Sequence, residues 1–274
     1  MRVAQNSDAE PLQLTLDGAP VRVHLDVKGP KNGERILLLH GWGASTELMR
    51  PLLDGLSDTF RVAGFDFPGQ GKSPVPPQGY GVQGHIEIVE GVMAHLGWDR
   101  CGIVGHSNGG RVALSWVGSG RGAGHADWMA LIAPSGVRRK RTAGYWIRFW
   151  TARILKAPFS ILPGQLRDFG LDWLRHSLVW RLLGSSDYRA LEGAMRQTFV
   201  QTVNHYVEDV LPAVNAPVLI LRGSNDDAIS ADQVGRMAAL LPDAGVSAIE
   251  GAGHYAHLDR PDIVTAAIRK LAAA

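Results

Sequence analysis

Val104-Gly105-His106-Ser107-Asn108-Gly109-Gly110 places one serine between glycines, directly after the apolar run Cys101-Gly102-Ile103-Val104 and directly before Arg111-Val112-Ala113-Leu114-Ser115-Trp116. The first run reads as a short buried strand and the second as a helix. A serine hydroxyl is a weak nucleophile in ordinary surroundings; it gains reactivity when a sharp strand-to-helix turn exposes it beside a base and oxyanion donors. Gly105 and Gly109 supply the room, because residues without a β-carbon tolerate crowding and a strained backbone at least cost. In a chain with 33 glycines, Gly-x-Ser-x-Gly by itself also fits a glycine-rich turn whose serine caps a helix. The strand before it, the Gly-Gly helix opening after it and the ordered motifs elsewhere decide for a nucleophile.

Upstream, Arg35-Ile36-Leu37-Leu38-Leu39 is compact and apolar, as a strand buried on both faces requires. It ends in His40-Gly41-Trp42-Gly43, a turn able to aim a backbone N–H at a nearby carbonyl. The main-chain N–H groups of Trp42 and Asn108 are the candidate oxyanion donors. The Trp42 indole is expected to line the pocket, and His40 reads as a turn histidine that bonds local backbone.

Downstream, Ala216-Pro217-Val218-Leu219-Ile220-Leu221 is another buried-strand pattern, followed by Arg222-Gly223-Ser224-Asn225-Asp226-Asp227. A carboxylate just past a strand end can hold an imidazole in the required tautomer and stabilise the imidazolium. Asp226 is the first candidate and Asp227 its competitor; a solvated Asn-Asp turn capping a helix near Ser230 is the structural alternative. After the strand-like Gly245-Val246-Ser247-Ala248-Ile249-Glu250 comes Gly251-Ala252-Gly253-His254-Tyr255-Ala256-His257. His254, on a small-residue loop, fits the general base. His257 and Asp259 raise a metal site, but no cysteine cluster or His-Glu-x-x-His spacing accompanies them. No metal is expected, and His257 reads as a packed or surface histidine.

In this order these segments, with Asp66-Phe67-Pro68-Gly69-Gln70-Gly71-Lys72-Ser73 between the first two, resemble the α/β-hydrolase family over nearly the whole chain. The resemblance implies a catalytic triad of Ser107, Asp226 and His254 and no cofactor. It makes Asp66 to Ser73 the loop after the fourth strand, read as a structural turn. The stretch from Gly184-Ser185-Ser186-Asp187-Tyr188 through Met195-Arg196-Gln197-Thr198-Phe199 looks like that of bacterial cytoplasmic members that mostly lack an assigned substrate. Family members often carry Met, Phe or Leu after the nucleophile and proline four residues beyond the acid, where this chain has Asn108 and Ser230. Serine at 107 argues against the halogen-displacing and most epoxide-opening relatives, which use aspartate there.

Alternating strands Leu12 to Leu16 and Val21 to Val27 predict an antiparallel hairpin around Asp17-Gly18. Later strands are expected at Ile36 to Leu39, Val62 to Phe65, Gly102 to Val104, Met129 to Ala133, Val218 to Leu221 and Val246 to Ile249, with helices between. The expected fold class is therefore α/β: a mostly parallel eight-stranded sheet with helices on both faces, an antiparallel N-terminal hairpin and an inserted helical cap. Residues 1–136 and 204–274 form the expected core and 137–203 the cap. One core suits 274 residues of which 45% are hydrophobic. The lone cysteine, Cys101, cannot form an internal disulfide and reads as packing. Residues 1–13 lack a signal-type apolar stretch, and no run of eighteen apolar residues occurs, so a cytoplasmic location without a transmembrane segment is expected.

In the cap, Trp146, Phe149, Trp150, Ile154, Phe159, Trp173 and Trp180 recur at helical spacing. Most such residues pack a core, but Trp146, Trp150 and Trp173 are the candidates for a substrate pocket over Ser107. From Val137 to Val203 there are 12 Lys or Arg against 4 Asp or Glu, net +8, which leaves −6 for the remainder of a chain whose total is +2. Arg138-Arg139-Lys140-Arg141 reads as a solvated helix start. A basic lid suits anionic substrates or an anionic membrane surface, and no nucleic-acid motif accompanies the charge. The expected activity is cofactor-independent hydrolysis of a small-molecule carboxylic ester, lactone or thioester through an acyl-enzyme. Carbon-carbon bond hydrolysis by the same triad, and a ligand-binding protein with little turnover, are the alternatives.

Overall fold

Apolar runs with two-residue alternation build the centre of the molecule, because each side chain of a strand faces the opposite layer from its neighbour. In β4 (Arg35–Leu39), Ile36 and Leu38 enter one core while Leu37 and Leu39 enter another. The computed structural model describes residues 11–140 and 191–274 together with residues 146, 150, 151, 153, 154, 157, 158 and 164. Seven strands lie in the order β3 (Leu25–Lys28), β5 (Arg61–Phe65), β4, β6 (Cys101–His106), β7 (Ala126–Ile132), β8 (Val218–Gly223) and β9 (Ala244–Ile249). Only the β3–β5 pair is antiparallel.

Helices cover both faces. On one side α2 (Val82–Leu96), α3 (Asn108–Gly118) and α5 (Ala231–Leu240) add Ile86, Val112 and Met237 to the core that holds Leu37 and Leu39. On the other, α1 (Arg50–Leu56) and α6 (Pro261–Ala272) contribute Leu52, Leu53, Val264 and Ile268 to the core that holds Ile36 and Leu38. Removing about one buried leucine side chain from such a layer costs on the order of 2–5 kcal/mol. The carboxyl ends of β4, β5, β6, β8 and β9 all open toward one edge. In a parallel sheet this edge is where ligands bind.

The α/β class is as expected, with a different division of strands. Val21 to Val27 is not one strand: β2 (Ala19–Val23) pairs with β1 (Leu12–Leu16) in a separate two-stranded sheet, and β3 joins the main sheet. The break falls at His24, whose N–H donates to Ser73 Oγ at 2.9 Å and whose carbonyl accepts from the Asp66 N–H at 2.9 Å. These bonds divert the chain from the hairpin to the main sheet, giving seven strands plus two in place of eight.

The Val207 N–H donates to the Gly136 carbonyl at 3.0 Å, joining the two ends of the insertion expected at 137–203. Its last part is α4 (Gly193–Val203). Trp146 and Trp150 are helical and expose 42% and 53% of their surface, while Trp173 lies outside the described residues. Among the described residues, no helix is long and apolar enough to cross a membrane.

Where β6 turns into α3 the backbone is packed so closely that glycine is needed. A β-carbon on Gly109 would fall onto the Leu39 carbonyl, and one on Gly105 would lie 2.8 Å from the Gly110 Cα. Gly109→Ala is expected to lower the unfolding free energy by about 1–3 kcal/mol in urea titrations; an unchanged midpoint would contradict this packing.

Candidate active site

Ser107 joins β6 to α3 with φ 48° and ψ −106°, a conformation that non-glycine residues rarely adopt. Its N–H donates to the Ile132 carbonyl at 2.9 Å, and its carbonyl accepts from Ser135 N–H at 3.0 Å. The end of β7 thus grips the turn on both sides. Gly41 packs against it, since a β-carbon there would lie 3.3 Å from Ser107 Cβ. The adjoining Trp42 N–H and the Asn108 N–H are not taken by any other group among the described residues. The Trp42 ring lies 5.2 Å from that of Phe199 on α4.

Asp226 and His254 meet. His254 Nδ1 lies 3.1 Å from Asp226 Oδ2, and the carboxylate side chain is fully buried. The other oxygen, Oδ1, accepts from the Ala228 and Ile229 N–H groups at 2.8 and 2.9 Å. Burial pushes the Asp226 carboxyl up, but the hydrogen bonds from His254, Ile229 and Ala228 outweigh it and hold the group below its ordinary value. Asp227 is exposed. The two loops are also tied by their backbones: the Asn225 N–H donates to the Ala252 carbonyl at 2.9 Å, and the Gly251 N–H donates to Ser224 Oγ at 2.9 Å. Asp259 Oδ2 accepts from the Gly253 N–H at 2.7 Å, steadying the loop that carries His254.

His40 and the Asp66 loop support this edge. The His40 ring is fully used, with Nδ1 donating to the Gly41 carbonyl at 2.8 Å and Nε2 accepting from Phe67 N–H at 3.0 Å. Asp66 is buried and accepts from the Thr46 and Lys72 N–H groups at 2.6 and 2.8 Å. It therefore closes a turn. No group of three metal-ligating side chains occurs among the described residues.

The family description "alpha/beta hydrolase fold" matches residues 34–261. The chain belongs to the alpha/beta hydrolase fold family. It is 27% identical over 262 residues to the 2-(acetamidomethylene)succinate hydrolase of Mesorhizobium japonicum, covering 90% of this chain and 91% of the relative. To the pimeloyl-(acyl-carrier protein) methyl ester esterase of Stenotrophomonas maltophilia it is 28% identical over 273 residues, covering 92% and 97%. The enol-lactonase of Burkholderia xenovorans shares the fold with a TM-score of 0.70 at 20% identity, over 96% of this chain and 100% of that one.

Three residues of this alpha/beta hydrolase escaped the sequence reading. His106 Nε2 donates to the His254 carbonyl at 3.1 Å, and the two rings lie 4.9 Å apart, so the residue before Ser107 holds the backbone of the His254 loop. Gln70 Oε1 accepts from the Gly43 N–H at 2.8 Å, fixing the turn that carries Trp42. Arg111, in the first turn of α3, donates from Nη1 to Asn108 Oδ1 and to the Thr202 carbonyl. A cation inside the otherwise apolar helix pattern after the serine was the available signal for Arg111. For His106 and Gln70 only the fold reveals a partner. Ser230, where relatives often carry proline, caps α5 in a reciprocal box with Gln233.

Burial lowers His85 and His257 to about 4 and holds His106 well below its ordinary value; for His257 the Leu48 carbonyl opposes this only in part. These imidazoles stay neutral in the folded chain, whereas unfolded ones titrate near 6.5. Below that pH the unfolded chain binds more protons, so stability falls as pH drops from 6.5 toward 4. Urea midpoints measured across this window are expected to decline, and His257→Leu to flatten the decline. A midpoint independent of pH in the parent protein would contradict the neutral, buried state.

Proposed function

We propose that this chain is a cofactor-independent serine hydrolase that cleaves a small to medium carboxylic ester, lactone or thioester through an acyl-enzyme. The observation that carries this reading is the contact of His254 Nδ1 with the buried Asp226 at the strand edge where Ser107 is displayed. With Nδ1–H bonded to the carboxylate, Nε2 is left as the basic nitrogen. Ser107 Oγ attacks the carbonyl carbon as His254 accepts its proton, and the negative charge on the former carbonyl oxygen is met by the Trp42 and Asn108 N–H groups. Collapse expels the alcohol or thiol, protonated by His254. Water deprotonated by His254 then attacks the acyl-Ser107 ester and releases the acid.

A methyl ester esterase and a 2-(acetamidomethylene)succinate hydrolase among the relatives support this reading. Residues 137–203 act in it as a cap over the site, tied at its two ends by the Val207–Gly136 bond.

On a graded series of p-nitrophenyl esters, Ser107→Ala is expected to lower kcat by at least about 10⁴-fold. Asp226→Asn is expected to lose about 10⁴-fold, through the wrong imidazole tautomer, and Asp227→Asn less than about threefold. Ester turnover that survives in Ser107→Ala would overturn the assignment, and equal losses at the two aspartates would overturn the choice of acid.

A further inference from the structure

Arg111 is a buried cation without a carboxylate. It is 7% exposed, and no ion pair among the described residues includes it. By contrast Arg138 and Lys140, at the start of the insertion, face Glu208 at 3.7 Å and Asp232 at 2.5 Å. Arg111 uses Nη1 alone, donating to Asn108 Oδ1 at 3.2 Å and to the Thr202 carbonyl at 2.7 Å, while Nε is buried with no partner. Burial pulls its pKa down to about 10.

Its neighbours share the deficit. Asn108 is 3% exposed; its oxygen is occupied by Arg111, and its Nδ2 is buried with no partner. Thr202, 1% exposed, has a buried hydroxyl oxygen with none. The cluster thus holds two unmatched N–H donors, Arg111 Nε and Asn108 Nδ2, and one unmatched hydroxyl, that of Thr202. Burying a charge and two donors without partners is costly, and such groups in native proteins are completed by a ligand, an ion or ordered water, or serve a functional site. Asn108 directly follows Ser107, and its own N–H is an oxyanion donor in the reading above, so the cluster adjoins the proposed oxyanion site through that residue. The unmatched Arg111 Nε–H and Asn108 Nδ2 are both donors, and a guanidinium beside an amide donor matches a planar anion with two oxygens. The net charge of +8 on residues 137–203 favours the arrival of such an anion.

We propose that Arg111, with the Asn108 side-chain amide, forms a carboxylate-binding subsite beside Ser107, and that the substrate is an ester, lactone or thioester carrying a free carboxylate. This rests on the hydrolase reading above. The subsite also explains why this chain has asparagine where relatives often have an apolar residue: an apolar side chain offers nothing to a carboxylate and leaves Arg111 with one acceptor fewer.

The test compares p-nitrophenyl valerate with mono-p-nitrophenyl glutarate, which differ only in a terminal methyl against a carboxylate, after subtraction of uncatalysed hydrolysis. The parent enzyme is expected to favour the glutarate in kcat/KM by at least about tenfold, and Arg111→Met to lower the glutarate-to-valerate ratio by about 100-fold. Asn108→Met, which keeps the main-chain N–H, lowers that ratio by about tenfold and serves if Arg111→Met does not fold. A parent enzyme that prefers valerate, or variants that leave the ratio unchanged, would overturn the subsite and leave Arg111 as a clamp on Thr202. Glutarate should also raise the melting temperature of Ser107→Ala but not of Ser107→Ala with Arg111→Met. That shift reads the subsite without turnover, so an enzyme inactive on both esters sinks the hydrolase reading alone, and absence of the shift sinks the subsite.

Discussion

The left-handed backbone of Ser107 is the constraint on which the site depends. A serine at φ 48° is strained by about 1–3 kcal/mol, and such a conformation persists only where the surroundings over-determine it. Here the Ile132 carbonyl and the Ser135 N–H hold it from β7, Gly41 presses from the end of β4, and Gly109 lies against the Leu39 carbonyl. Each of these contacts comes from the end of a neighbouring strand, or from the turn just beyond it, in a sheet buried on both faces. The sheet is therefore what keeps the turn sharp, and the sharp turn is what displays the hydroxyl at the edge where the other loops converge.

Asp226 and His254 are positioned by backbone as much as by side chain. Asp226 accepts three hydrogen bonds, two from its own turn and one from His254, and these outweigh the cost of burying its charge. His254 is fixed at its ring by Asp226 and at its carbonyl by His106, the residue next to Ser107. Loops from β6, β8 and β9 are thereby coupled through one histidine pair. Neutral buried imidazoles at 85, 106 and 257 complete the packing, which links the integrity of this edge to pH.

The central strands and the ordered motifs were legible because they rest on local pattern: an apolar run, then a glycine turn, then a residue able to do chemistry. Asp226 was separable from Asp227 only by burial, which depends on which residue turns under the His254 loop. The break at His24 was hidden because Val21 to Val27 alternates without interruption, and the bonds that divide it come from Ser73 and Asp66, far along the chain. His106, Gln70 and Arg111 were hidden for the same reason. Each acts through a partner on a distant segment, at positions 254, 43 and 202, and no spacing along the chain encodes those meetings.

In the proposed mechanism Ser107 is made nucleophilic by His254 and the buried Asp226. Treating the intact protein with a fluorophosphonate, which reacts covalently with activated serine hydroxyls, and mapping the adduct by mass spectrometry tests it without any assumption about substrate. One adduct per chain is expected, on the peptide containing Ser107, with labelling slowed by orders of magnitude in His254→Ala. Absence of labelling in the folded parent protein, or an adduct on another residue at the same rate, would contradict it.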